Sequence, residues 1–323
     1  MHPPTRSSGA FRLLRPLSLA QSLPPAFDFG AAVRYSLCMP EGSHRFPVGS
    51  ICCTVLSDGY SSYPTGWFFP NADSEQLSQA LEARHSPLTG ILTPYTCLLI
   101  ETGRRVVLVD TGAGEWMSTS GAVVARLEMA GFRPADVDTV VLTHAHPDHV
   151  GGSLDFRRRP IFPNACHYIS EWEWEFWTNS RPDLRALRVP EDVKRSLAGA
   201  AFRFLEPLRL RLERIERETE IAPGVRLIPA PGHTPGHLAV AISSEGHHLL
   251  HLGDAAVHPL HLEHPEWENG FDTDPVRALD TRRTLASLAL ADNMHIMAFH
   301  FPFPSVGRIE ARGAGGWAWT PGW

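Results

Sequence analysis

The sequence predicts an α/β protein, an αββα sandwich in which two packed mixed β-sheets are flanked by helices. Three observations carry that expectation. Short apolar, largely β-branched runs fall into two successive strand-rich halves, each followed by stretches of helical periodicity. Several of those runs end at a His or Asp beside a Gly- or Pro-containing loop, where strands usually hand over to a functional site. The composition, 43% hydrophobic and 20% charged over 323 residues, is that of an ordinary globular chain large enough to bury a sizeable core.

Taken in order, residues 1–30 are expected to form a disordered or extended tail rich in Pro, Ser and Arg, with one domain over 31–323. Arg6, Arg12 and Arg15 precede the short apolar stretch Pro16–Leu23. Gln21 and Ser22 interrupt that stretch and no small-x-small cleavage site follows, so a cytoplasmic protein is expected, with export by this weak signal as the alternative. No run of 18 apolar residues exists, so no membrane span is expected.

Short strands are expected from Val33 to Tyr60, the clearest at Ser50–Leu56, with Ser57-Asp58-Gly59 as a turn. Tyr63–Pro70 is an aromatic loop, either a lid packed on the core or a wall of a substrate pocket. Asp73 is placed to cap a helix, with Gln76 three residues on and Leu77, Ala80 and Leu81 on one apolar face. Strands at Tyr95–Ile100 and Arg105–Asp110 meet at a Thr102-Gly103 turn, and a helix from about Ser120 to Ala130 is stopped by Gly131. Val137–Leu142 and Ile161–Ile169 are further strands. Ser170-Glu171-Trp172-Glu173 has capping-box spacing and opens a helix carrying Trp172, Trp174, Phe176 and Trp177, which suits packing or a homodimer contact.

Glu191–Ala201 is a helix, and the charged stretch Arg209–Glu220 is expected to be solvated. Val225–Pro229 is a strand, and Leu238–Ile242 with His248–Leu252 form an antiparallel pair across Ser244-Glu245-Gly246. Asp274 caps a helix with Pro275 in its first turn, running to about Leu290. His295–Phe299 and a short strand around Trp317–Trp319 complete the chain.

Charge and cysteine usage exclude two classes. A net charge of -6 offers no basic field for a phosphate backbone, so nucleic acid is not an expected partner. The five cysteines, at 38, 52, 53, 97 and 166, are odd in number and show no CxxC spacing, which argues for buried free thiols.

The chemistry is concentrated in Thr143-His144-Ala145-His146-Pro147-Asp148-His149, three imidazoles and a carboxylate within six consecutive positions after a strand. Neutral imidazole and ionised carboxylate suit zinc, manganese or iron, and this density is too high for one open metal position. It reads as the start of a two-metal site. Asp110, His233, Asp254 and His300 stand at the ends of other apolar runs and complete the set of metal-capable candidates.

HxHxDH, then His233 in Pro-Gly-His-Thr-Pro-Gly-His, then Gly253-Asp254, then the late His300, resembles the metallo-β-lactamase-fold hydrolase superfamily, from about Ser50 to the end. The resemblance implies a first metal held by His144, His146 and His233, a second held by Asp148, His149 and His300, and Asp254 between them. It implies that Asp110 supports ligands through hydrogen bonds, and that Asp148 can relay a proton. Two divalent ions would share and activate a water; zinc is expected, with manganese, cobalt or iron as alternatives.

Within the superfamily, only 23 residues follow His300, too few for the C-terminal helical domain of glyoxalase II. The nuclease branches expect basic surfaces that this chain lacks. The Phe301–Glu310 segment and the Trp-containing tail look most like the group of methyl parathion hydrolase and the N-acyl homoserine lactone lactonases. That resemblance implies a small lactone or ester substrate, or alternatively an aryl phosphotriester; thioester hydrolysis and iron-dependent sulfur dioxygenation are more remote readings. Trp67, Phe68, Phe69, Trp267 and Phe271 are expected to supply an apolar wall for the acyl or aryl group.

Overall fold

The computed structural model describes residues 42–178 and 181–323. The expected tail, and the part of the Val33–Tyr60 region before residue 42, lie outside the described residues. Two seven-stranded mixed sheets form the core. The first runs in chain order from β1 (Ser43–Val48) through β2 (Ile51–Tyr63), β3 (Ile91–Glu101), β4 (Val106–Val109), β5 (Thr139–Val141) and β6 (Cys166–Ser170) to β7 (Leu212–Ile215). The second is built from β8 (Thr219–Ala222), β9 (Val225–Pro229), β10 (Leu238–Ser244), β11 (His247–His251), β12 (His295–Met297), β13 (Val306–Ala311) and β14 (Trp317–Pro321), also as neighbours in order.

β4 to β7 pair in parallel and β1 to β4 antiparallel; in the second sheet only β11 and β12 run in parallel. The sheets meet through Val48, Val55, Leu98, Ile100 and Val109 on one side and Leu227, Val240, Ile242 and Met297 on the other, all buried. Alternate residues of the same strands point outward and are covered by helices, which is why these strands read as near-continuous apolar runs.

The helices are α1 (Thr65–Phe68), α2 (Ser74–Glu82), α3 (Val123–Met129), α4 (Pro147–Val150), α5 (Glu171–Thr178), α6 (Glu191–Leu205), α7 (Leu260–Glu263) and α8 (Pro275–Ala291). Leu127 of α3 and Leu197, Ala201 and Leu205 of α6 cover the first sheet, and Leu285, Ala286 and Ala289 of α8 cover the second. The αββα order is therefore as expected. The local capping signals hold as well: Asp73 Oδ1 accepts from the Glu75 and Gln76 amides, and Asp274 Oδ1 from that of Arg277.

Several expectations are corrected. Ser57-Asp58-Gly59 is no turn; β2 continues through it to Tyr63 with a register shift at the Ser57/Gly59 position. Asp58 is buried and accepts from the amides of Ala113 (2.8 Å), Gly121 and Val123 (both 3.0 Å), so it organises the loop after β4. Gly112 permits that approach, since its φ is +73° and a Cβ there would lie 2.3 Å from Asp58 Cγ. The Tyr63–Pro70 stretch is strand end and one helical turn, α1, instead of an irregular loop.

Arg209–Glu220 is not simply solvated chain: it supplies edge strands β7 and β8, whose charged side chains stay exposed while Ile215 and Ala222 are buried. Ile161–Ala165 precedes its strand, which is β6, and β13 was not anticipated. The described cysteines, 52, 53, 97 and 166, are all free thiols, with Cys53 and Cys97 buried. No helix among the described residues is long and apolar enough to cross a membrane.

Candidate metal centre

Five strands deliver the candidate ligands from one end of the two sheets. β4 is followed by Asp110, β5 by the His144–His149 cluster, β9 by His233, β11 by Asp254 and β12 by His300. The side chains then fall into two groups, His144, His146, His233 and Asp254 in one and Asp148, His149 and His300 in the other, with ligand atoms within 4.8 Å of one another in each. All seven are buried except Asp148.

In the first group, His146 Nδ1 lies 3.0 Å from both His144 Nε2 and His233 Nε2, and Asp254 Oδ2 lies 3.5 Å from His233 Nε2. Asp254 also faces the second group: Oδ1 is 3.4 Å from His149 Nε2 and Oδ2 is 3.2 Å from His300 Nε2, which is itself 3.4 Å from Asp148 Oδ2. Asp254 thus stands between the two.

The arrangement fits two divalent cations. His149 Nε2 and Asp254 Oδ1 are buried with no hydrogen-bond partner, so these two atoms face each other with nothing to satisfy them. Ligand atoms about 3.3 Å apart are what a tetrahedron with bonds of roughly 2.0 Å requires, and the spacings above lie near that value.

Charge tells the same story. Burial, then the neighbouring His149 and His146, hold His144 well below its ordinary pKa, and burial and His233 do so for His146, so both are neutral bases. Burial also opposes the cationic forms of His149 and His300, but Asp254 leads the carboxylates that outweigh it, and both are raised. Asp254 is held well below the usual carboxylate range, its burial overcome by His300 and His149. The centre demands positive charge.

Three of the candidate ligand rings are oriented from behind. His149 Nδ1 donates to Asp110 Oδ2 (2.8 Å), His233 Nδ1 to Asp272 Oδ1 (2.9 Å) and His300 Nδ1 to the Pro94 carbonyl (2.9 Å), which turns each Nε2 inward. Asp110 also accepts from the Thr143 amide and hydroxyl, both at 2.8 Å, and reaches these partners from a left-handed φ of +59°. Asp110 therefore lies behind the candidate ligands.

Four supporting groups carried no readable signal. Asp272 lies in a loop with no motif. His237, the last residue of the Pro-Gly-His-Thr-Pro-Gly-His motif, accepts the Asp254 amide at Nε2 (2.9 Å) and so fixes the backbone of that candidate ligand. Asp58 was hidden in a supposed turn. Glu173, taken as half of a capping box, is buried; its carboxylate accepts from Ala145 N and Trp177 Nε1 on one oxygen and from Thr234 Oγ1 and Gly236 N on the other. Burial pushes its pKa up, and the four hydrogen bonds pull against that. Its residue type was visible; its direction was not.

Asp272→Ala is expected to weaken metal binding about 10- to 100-fold, because His233 loses the acceptor that sets its tautomer. A chelator competition titration measures it, and unchanged affinity would show that Asp272 serves only packing.

The five expected wall residues separate. Phe69 and Trp267 are buried, packed on each other at 5.8 Å and on the neighbouring cluster of Leu81, Ile91 and Leu260. Phe68 is buried too, behind Tyr63 and Phe271. Trp67 and Phe271 are half-buried, and Phe271 meets the His146 ring at 6.4 Å, so these two, with Tyr63, border the centre. The tryptophan-rich helix is mostly packing: Trp177 is buried against His146, Trp174 lies under Arg214, and only Trp172 is well exposed.

Comparison with known proteins agrees with this geometry. An N-acyl homoserine lactonase of Bacillus sp. is 28% identical over 219 residues, covering 59% of this chain and 78% of that protein. Among solved structures, AidC, a dizinc quorum-quenching lactonase in complex with a product, superposes with a TM-score of 0.83 at 27% identity, over 88% of this chain and 98% of its own. The hydrolase AbOPH of the beta-lactamase superfamily gives 0.79 at 26% identity, over 87% and 97%. Residues 90–296 match the metallo-beta-lactamase superfamily, and with that span holding β3 to β11 and six of the seven candidate ligands, this chain belongs to it.

Proposed function

We propose that this protein is a binuclear-metal hydrolase that opens N-acyl homoserine lactones or closely related esters. The observation that carries this reading is Asp254, whose two oxygens face both ligand groups beside an apolar opening bordered by Trp67 and Phe271. The lactonase relatives support the substrate class. The first ion would be held by His144, His146, His233 and Asp254, and the second by Asp148, His149, His300 and Asp254. Zinc suits a set of five imidazoles and two carboxylates, and the dizinc neighbour agrees with it. Two such cations supply Lewis acidity and an activated water.

The chain's own residues do the rest. Asp110, Asp272 and the Pro94 carbonyl keep three imidazoles in the ligating tautomer. Asp148, the one ligand not fully buried, is at the open side, where it can take a proton from the attacking water. The half-buried rings of Trp67 and Phe271 exclude water beside His146 and offer an apolar surface to an acyl chain. Trp67→Ala is expected to raise KM for long-chain substrates about tenfold with little change in kcat; steady-state kinetics across chain lengths would remove Trp67 from the pocket if KM stayed constant.

Aryl phosphotriester hydrolysis is the second reading, since the same rings would hold an aryl group and an activated water can attack phosphorus as well as carbonyl carbon. A paired turnover assay on metal-loaded protein, with a homoserine lactone and an aryl phosphotriester side by side, separates the two. A lactone kcat/KM of about 10⁴ M⁻¹s⁻¹ or more with weak phosphotriester turnover supports the lactonase reading. The reverse preference replaces it.

A further inference from the structure

Two phenols stand at the edge of the centre, and neither the ligand set nor its supports use them. Tyr63 ends β2 and Tyr95 lies in the neighbouring β3, and their hydroxyl oxygens are 2.6 Å apart. Tyr95 is fully buried, its ring edge-on to His300 at 5.6 Å. Tyr63 is half-buried and packs on Trp67 at 6.3 Å and Phe271 at 6.1 Å, and Phe271 in turn meets His146. Tyr63 therefore reaches from the His300 side of the opening to the His146 side.

A count of hydrogens gives this pair a function. Two phenols carry two O–H hydrogens, and one of them closes the bond between the two oxygens. One phenol hydrogen is left over. Tyr95 is sealed behind His300, so Tyr63 is the phenol able to present it to a bound molecule. The surroundings are also asymmetric: rings only on the Trp67–Phe271 side, hydroxyls and carboxylates on the Tyr95–Asp148 side.

We infer that Tyr63 is a catalytic residue whose O–H donates a hydrogen bond to the substrate's leaving oxygen on the Asp148–His300 side, with Tyr95 positioning it. The apolar part of the substrate then lies along Trp67 and Phe271. This rests on the lactonase reading. In the step, water adds its oxygen to the carbonyl carbon and the ring C–O bond breaks. One hydrogen of that water ends on the released alcohol and the other leaves as the proton of the new carboxylic acid. Tyr63 keeps its own proton and stabilises the charge that builds on the ring oxygen.

The test compares wild-type, Tyr63→Phe and Tyr95→Phe proteins, each loaded with two metal ions, on a homoserine lactone and on a 4-nitrophenyl ester. The lactone expels a poor alkoxide; the aryl ester expels a stable phenolate that needs far less help. For Tyr63→Phe we expect lactone kcat to fall about 100-fold, a loss at least tenfold larger than that for the aryl ester, and for Tyr95→Phe a smaller loss with the same selectivity. Calorimetry should show about tenfold weaker binding of the ring-opened hydroxy acid to Tyr63→Phe, at unchanged metal content. Equal losses on both substrates, or none, would overturn the assignment, because a purely structural phenol does not distinguish leaving groups. A wild-type protein that spares lactones but cleaves phosphotriesters would sink the lactonase reading alone, and alkyl- and aryl-leaving phosphotriesters would then decide the role of Tyr63 by the same comparison.

Discussion

Asp254→Asn is expected to cut hydrolysis by at least about 1,000-fold, consistent with losing several kcal/mol of charge stabilisation, and to lower bound metal from two ions per chain to one or fewer. Among the described residues, the carboxylate is the only negative group that faces both sets of candidate ligands, with four imidazole nitrogens between 3.2 and 3.9 Å from its oxygens. Asparagine keeps the shape and the backbone contact to His237, so a loss cannot be ascribed to a displaced loop. The amide nitrogen would in addition turn donor hydrogens towards positions that require an acceptor. Metal analysis beside steady-state kinetics measures both effects. Two retained ions with turnover near that of the wild type would show that Asp254 does not join the sites.

Glu173→Ala is expected to produce the largest loss of stability of any single change near the centre, about 4 kcal/mol, with metal affinity falling in parallel. Its two oxygens take four buried donors, at 2.8 Å from Ala145 N, 2.6 Å from Trp177 Nε1, 2.6 Å from Thr234 Oγ1 and 3.1 Å from Gly236 N. Leaving one buried donor unpaired costs roughly 1–3 kcal/mol, and donors sharing one acceptor group do not add independently. The carboxylate ties the loop carrying His144 and His146 to the loop carrying His233, so both lose their relative placement when it goes. Gly236 shows how close the contact is, since a Cβ there would lie 2.1 Å from the Glu173 amide nitrogen. Glu173→Gln separates charge from shape: its NH₂ must oppose one of the two donor pairs, so we expect about half the loss. Denaturant unfolding of the metal-loaded and metal-free proteins measures each. A metal-free stability unchanged by Glu173→Ala would mean that the four donors find water instead.

The primary structure by itself determined what depends on near neighbours along the chain. Helix starts at Asp73 and Asp274 were legible because capping joins a side chain to amides two or three residues on. The strands that lead to the candidate ligands were legible because both their faces are buried, and eight metal-capable residues stood out because each follows such a run. Edge strands β7 and β8 were not, since an edge exposes one face and fills with charge, erasing the pattern.

Apart from Asp110, what supports the candidate ligands was decided by tertiary structure alone. Asp58 reaches the loop after β4 across more than fifty residues of sequence, Asp272 reaches His233 across 39, and Glu173 reaches Thr234 across 61. The same is true of the division of the aromatic residues, with Phe69 and Trp267 in the core and Trp67 and Phe271 at the opening. A carboxylate or a ring looks the same in sequence whether it meets water, a helix end or a buried histidine. Which of these it meets is set by where two sheets bring distant loops together.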